Sequence, residues 1–331
     1  MINQNAKLNP KIFDADCEQV PIRKGFGEGL LAAGEKDKNI VGLCADLTES
    51  TQMHLFKNKF PERFVEIGVA EQNLASVASG MAAMGKLPVI SSYSMFSPGR
   101  NWEQIRTTIC YNDRKVIIAG SHAGISVGPD GGTHQAVEDI AITRVIPNMT
   151  VISPCDSIEA KKAMIVIAEG GQKTPVYLRL AREKTSVMTT ADTPFEIGKA
   201  QIFYESARPK LAIIATGALV HKALLAAKDL EAGGVGSIVI NLSTIKPLDK
   251  NTIIEAAKKA GAVVTVEEHQ IAGGVGSAVA ECLSQNFPVP IEFVGVHDLF
   301  GQSGTMAELL SHYNMDVIDI KKAAEKAIGR K

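Results

Sequence analysis

The sequence predicts an α/β protein made of two doubly wound, three-layer domains in series. Three observations carry this expectation. Short β-branched runs alternate with Ala-rich stretches of helical periodicity, the pattern of helices flanking a mainly parallel sheet. The alternation breaks at residues 186–209 and then restarts. The 331 residues suffice for two domains of ordinary size.

Taken in order, residues 1–20 are polar and aperiodic and read as a loosely ordered N-terminal arm. A first domain follows over 21–185. Its strands fall at 40–45, 63–67, 87–91, 116–119, 150–152 and 176–180, each a short apolar run closed by a turn signal. Residues 71–84 form a helix, with Leu74, Val77, Ala78 and Met81 on one face, and 157–169 form another. Residues 186–209 carry two prolines and polar clusters and read as a linker with a short hairpin. The second domain, 210–331, repeats the rhythm. Strands are expected at 211–215, 237–241, 262–267 and 291–294, with helices at 219–231, 251–260, 274–285, 306–312 and 316–328.

Hydrophobic residues make up 45% and charged residues 21%, which excludes a mostly disordered chain. The formal net charge is -1, so nothing global draws the chain to nucleic acid or an anionic membrane. Five cysteines are scattered without a CxxC pair, against a disulfide framework or zinc site. Cys44, Cys110 and Cys282 sit in apolar runs and read as small core residues. The first 19 residues lack the apolar core of a secretory signal. No stretch approaches the roughly 18–20 uninterrupted apolar residues of a membrane span. A reducing cytoplasm is the expected location.

Several segments hold candidate chemistry. In FVEIGVAEQNLASVASG, Glu71 opens a helix. It is either a first-turn acid favouring the helix dipole or a carboxylate held against apolar surroundings for acid–base work. Tyr93, Phe96 and Trp102 follow a strand in a loop with Pro98 and Gly99. They fill the core or meet a ligand at the strand's carboxyl end. His122, Asp130 and His134 lie on a glycine-rich stretch, with Thr133, His134 and Gln135 opening the next helix. Their spacing matches no familiar metal pattern; a hydroxylated ligand or a turn-and-cap segment both suit them. In LRLARE, Arg179 and Arg182 end a strand and serve a salt bridge or an oxyanion. EEHQIAGGVGSAVAE tempts a dinucleotide reading. However, Val279 stands where Gly or Ala is needed, and Glu267 and Glu268 precede the loop. A tight strand-to-helix turn fits better.

In their order and spacing, GVAEQ, the Phe96 loop, PDGGTHQAVED, NLSTIKPLD and VEEHQIAGGVGSAVAE resemble the transketolase family of thiamin diphosphate enzymes. The resemblance runs from about Arg23 onward. It covers the half that carries the pyrimidine-binding domain and the C-terminal domain. It implies that Glu71 and His134 are catalytic, Glu71 bonding N1′ of the aminopyrimidine and favouring its imino tautomer. It implies that Phe96 stacks on that ring and that Tyr93, Asp46 and Leu47 line the cofactor. Asp130 and His134 would contact substrate hydroxyls, and Arg23, Ser50, His122 and Arg182 would hold a sugar phosphate. The implied activity is transfer of a two-carbon ketol unit between sugar phosphates, with central pentose phosphates as the default.

The family's GDG…N motif, which holds Mg²⁺ and the diphosphate, does not occur in this sequence. No metal ligands are therefore expected here. The resemblance implies the small subunit of a split transketolase, completed by an N-terminal subunit with that motif in an α2β2 assembly. The Phe96 loop is one residue longer than in some relatives, which leaves Arg100 without an assigned role. Two rival enzyme readings share the architecture: a 1-deoxyxylulose-5-phosphate synthase-like enzyme, whose arginine context differs, and a 2-oxoacid dehydrogenase β subunit. Arg23, Ser50, His122 and Arg182 argue against the latter, whose substrate carries no phosphate. Intact Glu71, Phe96, Asp130 and His134 argue against a non-catalytic scaffold subunit.

Overall fold

The computed structural model describes residues 1–171 and 173–331. The chain opens with β1 (Gln19–Pro21), α1 (Ile22–Lys36), β2 (Ile40–Cys44), α2 (His54–Lys59), β3 (Phe64–Glu66), α3 (Glu71–Ala83) and β4 (Leu87–Tyr93). A short α4 (Trp102–Gln104) runs into a π turn, Ile105–Cys110. Then come β5 (Ile117–Ser121), α5 (Asp139–Arg144), β6 (Thr150–Ile152), α6 (Ser157–Val166), β7 (Val176–Arg179) and β8 (Lys184–Ser186). The second half holds β9 (Gln201–Glu205), β10 (Pro209–Ala215), α7 (Val220–Ala232), β11 (Gly236–Asn241), β12 (Thr244–Lys246), α8 (Lys250–Ala260) and β13 (Val263–Gln270). It closes with α9 (Val275–Asn286), β14 (Ile291–Val296), α10 (Met306–His312) and α11 (Val317–Ile328).

Two large sheets organise most of these elements, and β1 and β8 form a separate two-stranded one. The first runs β12-β6-β7-β5-β4-β2-β3 and is parallel except at β12. The second runs β14-β13-β10-β11-β9 and is parallel except at β9. Successive side chains of a strand face opposite sides. Thus Ile40 and Cys44 of β2 join the layer of α1, α2 and α6, while Val41 and Leu43 join that of α3 and α5. Burial on both faces is why these strands read as unbroken apolar runs. The fold is the expected α/β arrangement, with helices on both faces of each sheet.

The differences have physical causes. Residues 1–20 are not a loose arm. The Asn3 N–H donates to the Phe203 carbonyl (2.9 Å), Ile2 bridges Tyr204, and Ile12 is buried in the core of the second unit. Residues 186–209 hold no hairpin. β8 pairs with β1, whereas β9 is the antiparallel edge of the second sheet. Thr133 and His134 lie in a turn that Gln135 follows, and the next helix, α5, starts only at Asp139. The sequence pattern also conceals α1, because IRKGFGEGLLAAGEK looks too glycine-rich for a helix. Its glycines serve contact instead. A Cβ on Gly25 would lie 1.8 Å from the Ser157 carbonyl oxygen, and one on Gly29 would lie 2.8 Å from that of Lys161. The α1 and α6 backbones therefore touch, which fixes Arg23 in the first turn of α1.

All five cysteines are buried and free. Among the described residues, no helix is long and apolar enough to cross a membrane.

Candidate active site

Parallel strands gather their carboxyl ends on one edge, where open α/β sheets bind ligands. Every candidate from the first sheet lies on that edge. Asp46 and Leu47 follow β2, Glu71 follows β3, Tyr93 ends β4 with Phe96 just beyond, His122 follows β5, and Arg182 follows β7. Arg23 arrives from α1 and Ser50 from the loop after β2.

Glu71 is 2% exposed at the first position of α3. One carboxylate oxygen, Oε2, lies 3.2 Å from Arg100 Nη1. Its main-chain carbonyl accepts from Asn101 Nδ2 at 2.9 Å, and the buried Asn101 also donates to Ser97 Oγ at 3.2 Å. The loop after β4 thus holds both ends of Glu71. Arg100 also lies 5.5 Å from the Phe96 ring centroid. Phe96, Arg100 and His134 line an open cleft of about 730 Å³ beside Met95, Gly99 and Thr133.

A ladder of rings extends from Phe96. Tyr93 stacks between Phe96 (6.1 Å, 14°) and His122 (3.7 Å, 19°). His134 meets Phe96 edge-on at 5.4 Å, and Thr133 Oγ1 is 2.9 Å from its Nδ1. His122 has φ 55°, in the left-handed region. That conformation costs on the order of 1–3 kcal/mol and is met chiefly where a site requires it. Ser121 Oγ lies 2.9 Å from His122 Nδ1. Burial, then the charges of Arg23, Arg182 and His134, lower the His122 pKa to about 2, so its ring is neutral.

Arg23 and Arg182 are interlocked. Arg23 Nε donates to the Arg182 carbonyl at 3.2 Å, and Arg23 Nη1 donates to the Ser50 carbonyl. Burial and the adjacent Arg182 charge lower the Arg23 pKa from its ordinary value. Arg182 Nη1 donates to the Val127 carbonyl at 2.5 Å and lies 3.1 Å from Glu183 and 3.9 Å from Asp130. Two half-buried guanidinium groups with a neutral imidazole make a place where an anion relieves repulsion. An incoming anion competes with Asp130 and Glu183 for Arg182.

Asp46 belongs to a separate hydrogen-bond group, while the carbonyl of the neighbouring Leu47 accepts from Thr51 Oγ1 at 2.9 Å. The Asp46 and Gly68 N–H groups donate to Glu66 Oε1 (2.7 and 3.1 Å), and Thr48 Oγ1 donates to Oε2 (2.9 Å). Glu66 therefore ties the loop after β2 to the loop leading into Glu71. Sequence reasoning missed it, as it missed Asn101. An acid at a strand end looks ordinary until its three donors converge.

The two arginines of LRLARE diverge. Arg179 is buried in an ion pair with Asp139 (2.8 Å) and donates to the Glu268 carbonyl (2.8 Å), a structural role. Glu267 caps α9 by accepting from the Val275 and Gly276 N–H groups, both at 2.7 Å. The strand-to-helix turn reading of that segment holds.

The buried carboxylate, the aromatic ring and the open cleft fit the aminopyrimidine half of thiamin diphosphate. Among the described residues, no group of three or more His, Cys, Asp or Glu is placed to hold a metal ion.

Comparisons with known proteins identify the family. The domain family described as "Transketolase, pyrimidine binding domain" matches residues 18–187, and "Transketolase, C-terminal domain" matches 198–320. A putative transketolase C-terminal section from Methanocaldococcus jannaschii is 45% identical, covering 91% of this chain and 94% of that protein. A 6-deoxy-6-sulfo-D-fructose transketolase subunit, SqwH, from Clostridium sp. is 38% identical, covering 96% and 98%. A solved structure titled "Split gene transketolase, inactive beta4 tetramer" superposes with TM-score 0.87 and 41% identity, covering 94% of this chain and 99% of that one. The chain belongs to the transketolase family and carries its pyrimidine-binding and C-terminal domains.

Proposed function

We propose that this chain is the pyrimidine-binding subunit of a split transketolase that uses thiamin diphosphate and Mg²⁺. It would transfer a two-carbon ketol unit reversibly from a ketose phosphate to an aldose phosphate. One observation carries the reading: a carboxylate, Glu71, 2% exposed and 3.2 Å from Arg100, which with Phe96 lines an open cleft.

When bound, thiamin diphosphate supplies the carbon nucleophile and electron sink that cleave the ketose. Glu71 shares a proton with N1′ of its ring, and Phe96 stacks on that ring. Tyr93, Asp46 and Leu47 border the cofactor. His134 and Asp130 orient substrate hydroxyls near the reacting carbonyl. Arg23, His122, Arg182 and Ser50 hold the phosphate, with the guanidinium groups supplying charge and neutral His122 a hydrogen bond. An N-terminal subunit with the GDG…N motif ligates Mg²⁺ and the diphosphate, in an α2β2 assembly. The split-gene neighbour and the SqwH subunit support a subunit role. Buried free thiols suit a reducing cytoplasm, where pentose phosphates are the default substrates.

The phosphate assignment is tested with Arg182→Ala in the assembled enzyme. Loss of a charge-assisted bond of about 1.5–3 kcal/mol should raise KM for a phosphorylated aldose roughly tenfold or more. KM for an unphosphorylated acceptor should barely change. Equal increases for both would contradict the assignment.

A further inference from the structure

We infer that the second unit serves the reaction by holding the substrate loop in place, with Gln135 as the positioning residue; this rests on the transketolase reading above. The loop bearing Asp130 and His134 springs from β5 of the first sheet and takes one bond from Arg182 to its Val127 carbonyl, yet both of its ends and its glycine stretch meet the second unit.

At its start, the Ser126 N–H donates to the buried Glu268 carboxylate of β13. Gly124 has φ +84, and a Cβ there would lie 2.5 Å from Glu268 Oε1. At its end, Gln135 is 2% exposed and follows His134 directly. Its Nε2 donates to the Ile125 carbonyl at 2.9 Å, closing the loop on itself, and to the Gln302 carbonyl at 3.0 Å, tying it to the second unit. Between these ends, two glycine-rich stretches lie almost backbone to backbone. A Cβ on Gly132 would sit 2.5 Å from the Gly301 carbonyl oxygen, one on Gly131 2.7 Å from Ser303 Oγ, and one on Gly301 1.8 Å from Gln135 Oε1.

The opposing stretch is itself anchored. Gln270 Nε2 donates to the Leu299 carbonyl at 2.8 Å, and the Tyr313 hydroxyl to the Phe300 carbonyl at 2.7 Å. A loop with glycines at 124, 128, 131 and 132 has many conformations open to it. Pinning it from the second unit selects one. Misplacement of a substrate-contacting group by about 1 Å can cost roughly 100-fold in rate.

The test measures ketol transfer by the assembled enzyme carrying Gln135→Leu, which keeps the bulk but loses both donated bonds. Expected is a fall in kcat of at least about tenfold. The fall should be equal for phosphorylated and unphosphorylated acceptors, whereas Arg182→Ala acts on KM for the phosphorylated one. Gly301→Ala, made in the second unit, should reproduce the pattern. The double variant should be no worse than the poorer single one, because both break one clasp. Should Gln135→Leu fail to fold, Gly301→Ala carries the comparison. Unchanged kcat in the folded variants, or a loss confined to phosphorylated acceptors, would overturn the inference while leaving the transketolase reading intact. A wild-type assembly without ketol transfer would remove that reading, and this inference with it.

Discussion

His122 sits 2% exposed against Tyr93, and both burial and the neighbouring Arg23 and Arg182 oppose its charged form. Its pKa in the folded chain is about 2, below the ordinary value of 6.5. Between these values the unfolded chain binds the extra proton, so stability must rise with pH there. The stabilisation is present in full above about pH 6.5 and is lost progressively as pH falls toward the folded value. Lowering pH from about 7.5 to about 5.5 should cost the wild type on the order of 1 kcal/mol through this residue. His122→Asn should show a correspondingly shallower loss of thermal midpoint over the same interval. Parallel losses in both proteins would show that His122 does not carry the effect. At this scale the sequence revealed residue types and their order, but not their pairing. Arg179 and Arg182 look equivalent in LRLARE, yet one is locked to Asp139 and the other lies on the open edge. Arg100 could not be placed from the sequence because its position depends on how the Phe96 loop folds back over Glu71.

Elements were legible where a local period is strong and obscure where a distant contact decides. The helix predicted over 71–84 is α3, and the later helices fall within a few residues of their expected bounds. By contrast, α1 is a helix despite its glycines, because those glycines admit the backbone of α6. Gly80 of α3 offers the opposite case, since a Cβ there would meet nothing within 4 Å. The same substitution should therefore act in opposite directions. Gly25→Ala should destabilise the chain by about 1–3 kcal/mol or more, through a clash with the Ser157 carbonyl. Gly80→Ala should stabilise the chain by about 0.5–1 kcal/mol, through the lower cost of ordering alanine in a helix. Denaturant unfolding of the two variants checks both signs. A neutral Gly25→Ala would mean that α1 and α6 have room to part.

For the whole molecule, the alternating pattern sufficed for the fold class but not for the seam between the halves. β12 comes from the second half of the chain and completes the edge of the first sheet. One apolar core runs from Leu74 of α3 and Ile109 of the π turn to Ile253 of α8 and Val279 of α9. Strands as short as Thr244–Lys246 leave no period to read, and their partners are fixed only by tertiary packing. The same seam brings Glu268 and Gln302 to the loop that bears Asp130 and His134. There Phe96 and Arg100 line an open cleft, and the buried Glu71 carboxylate pairs with that arginine. On the function proposed above, Glu71 supplies the proton-sharing carboxylate of a cofactor site completed by a partner. The most direct test is ketol transfer by the assembled enzyme carrying Glu71→Ala, with assembly followed by sedimentation. Expected is an unchanged complex whose turnover falls at least about 100-fold; turnover equal to that of the wild type would contradict the account.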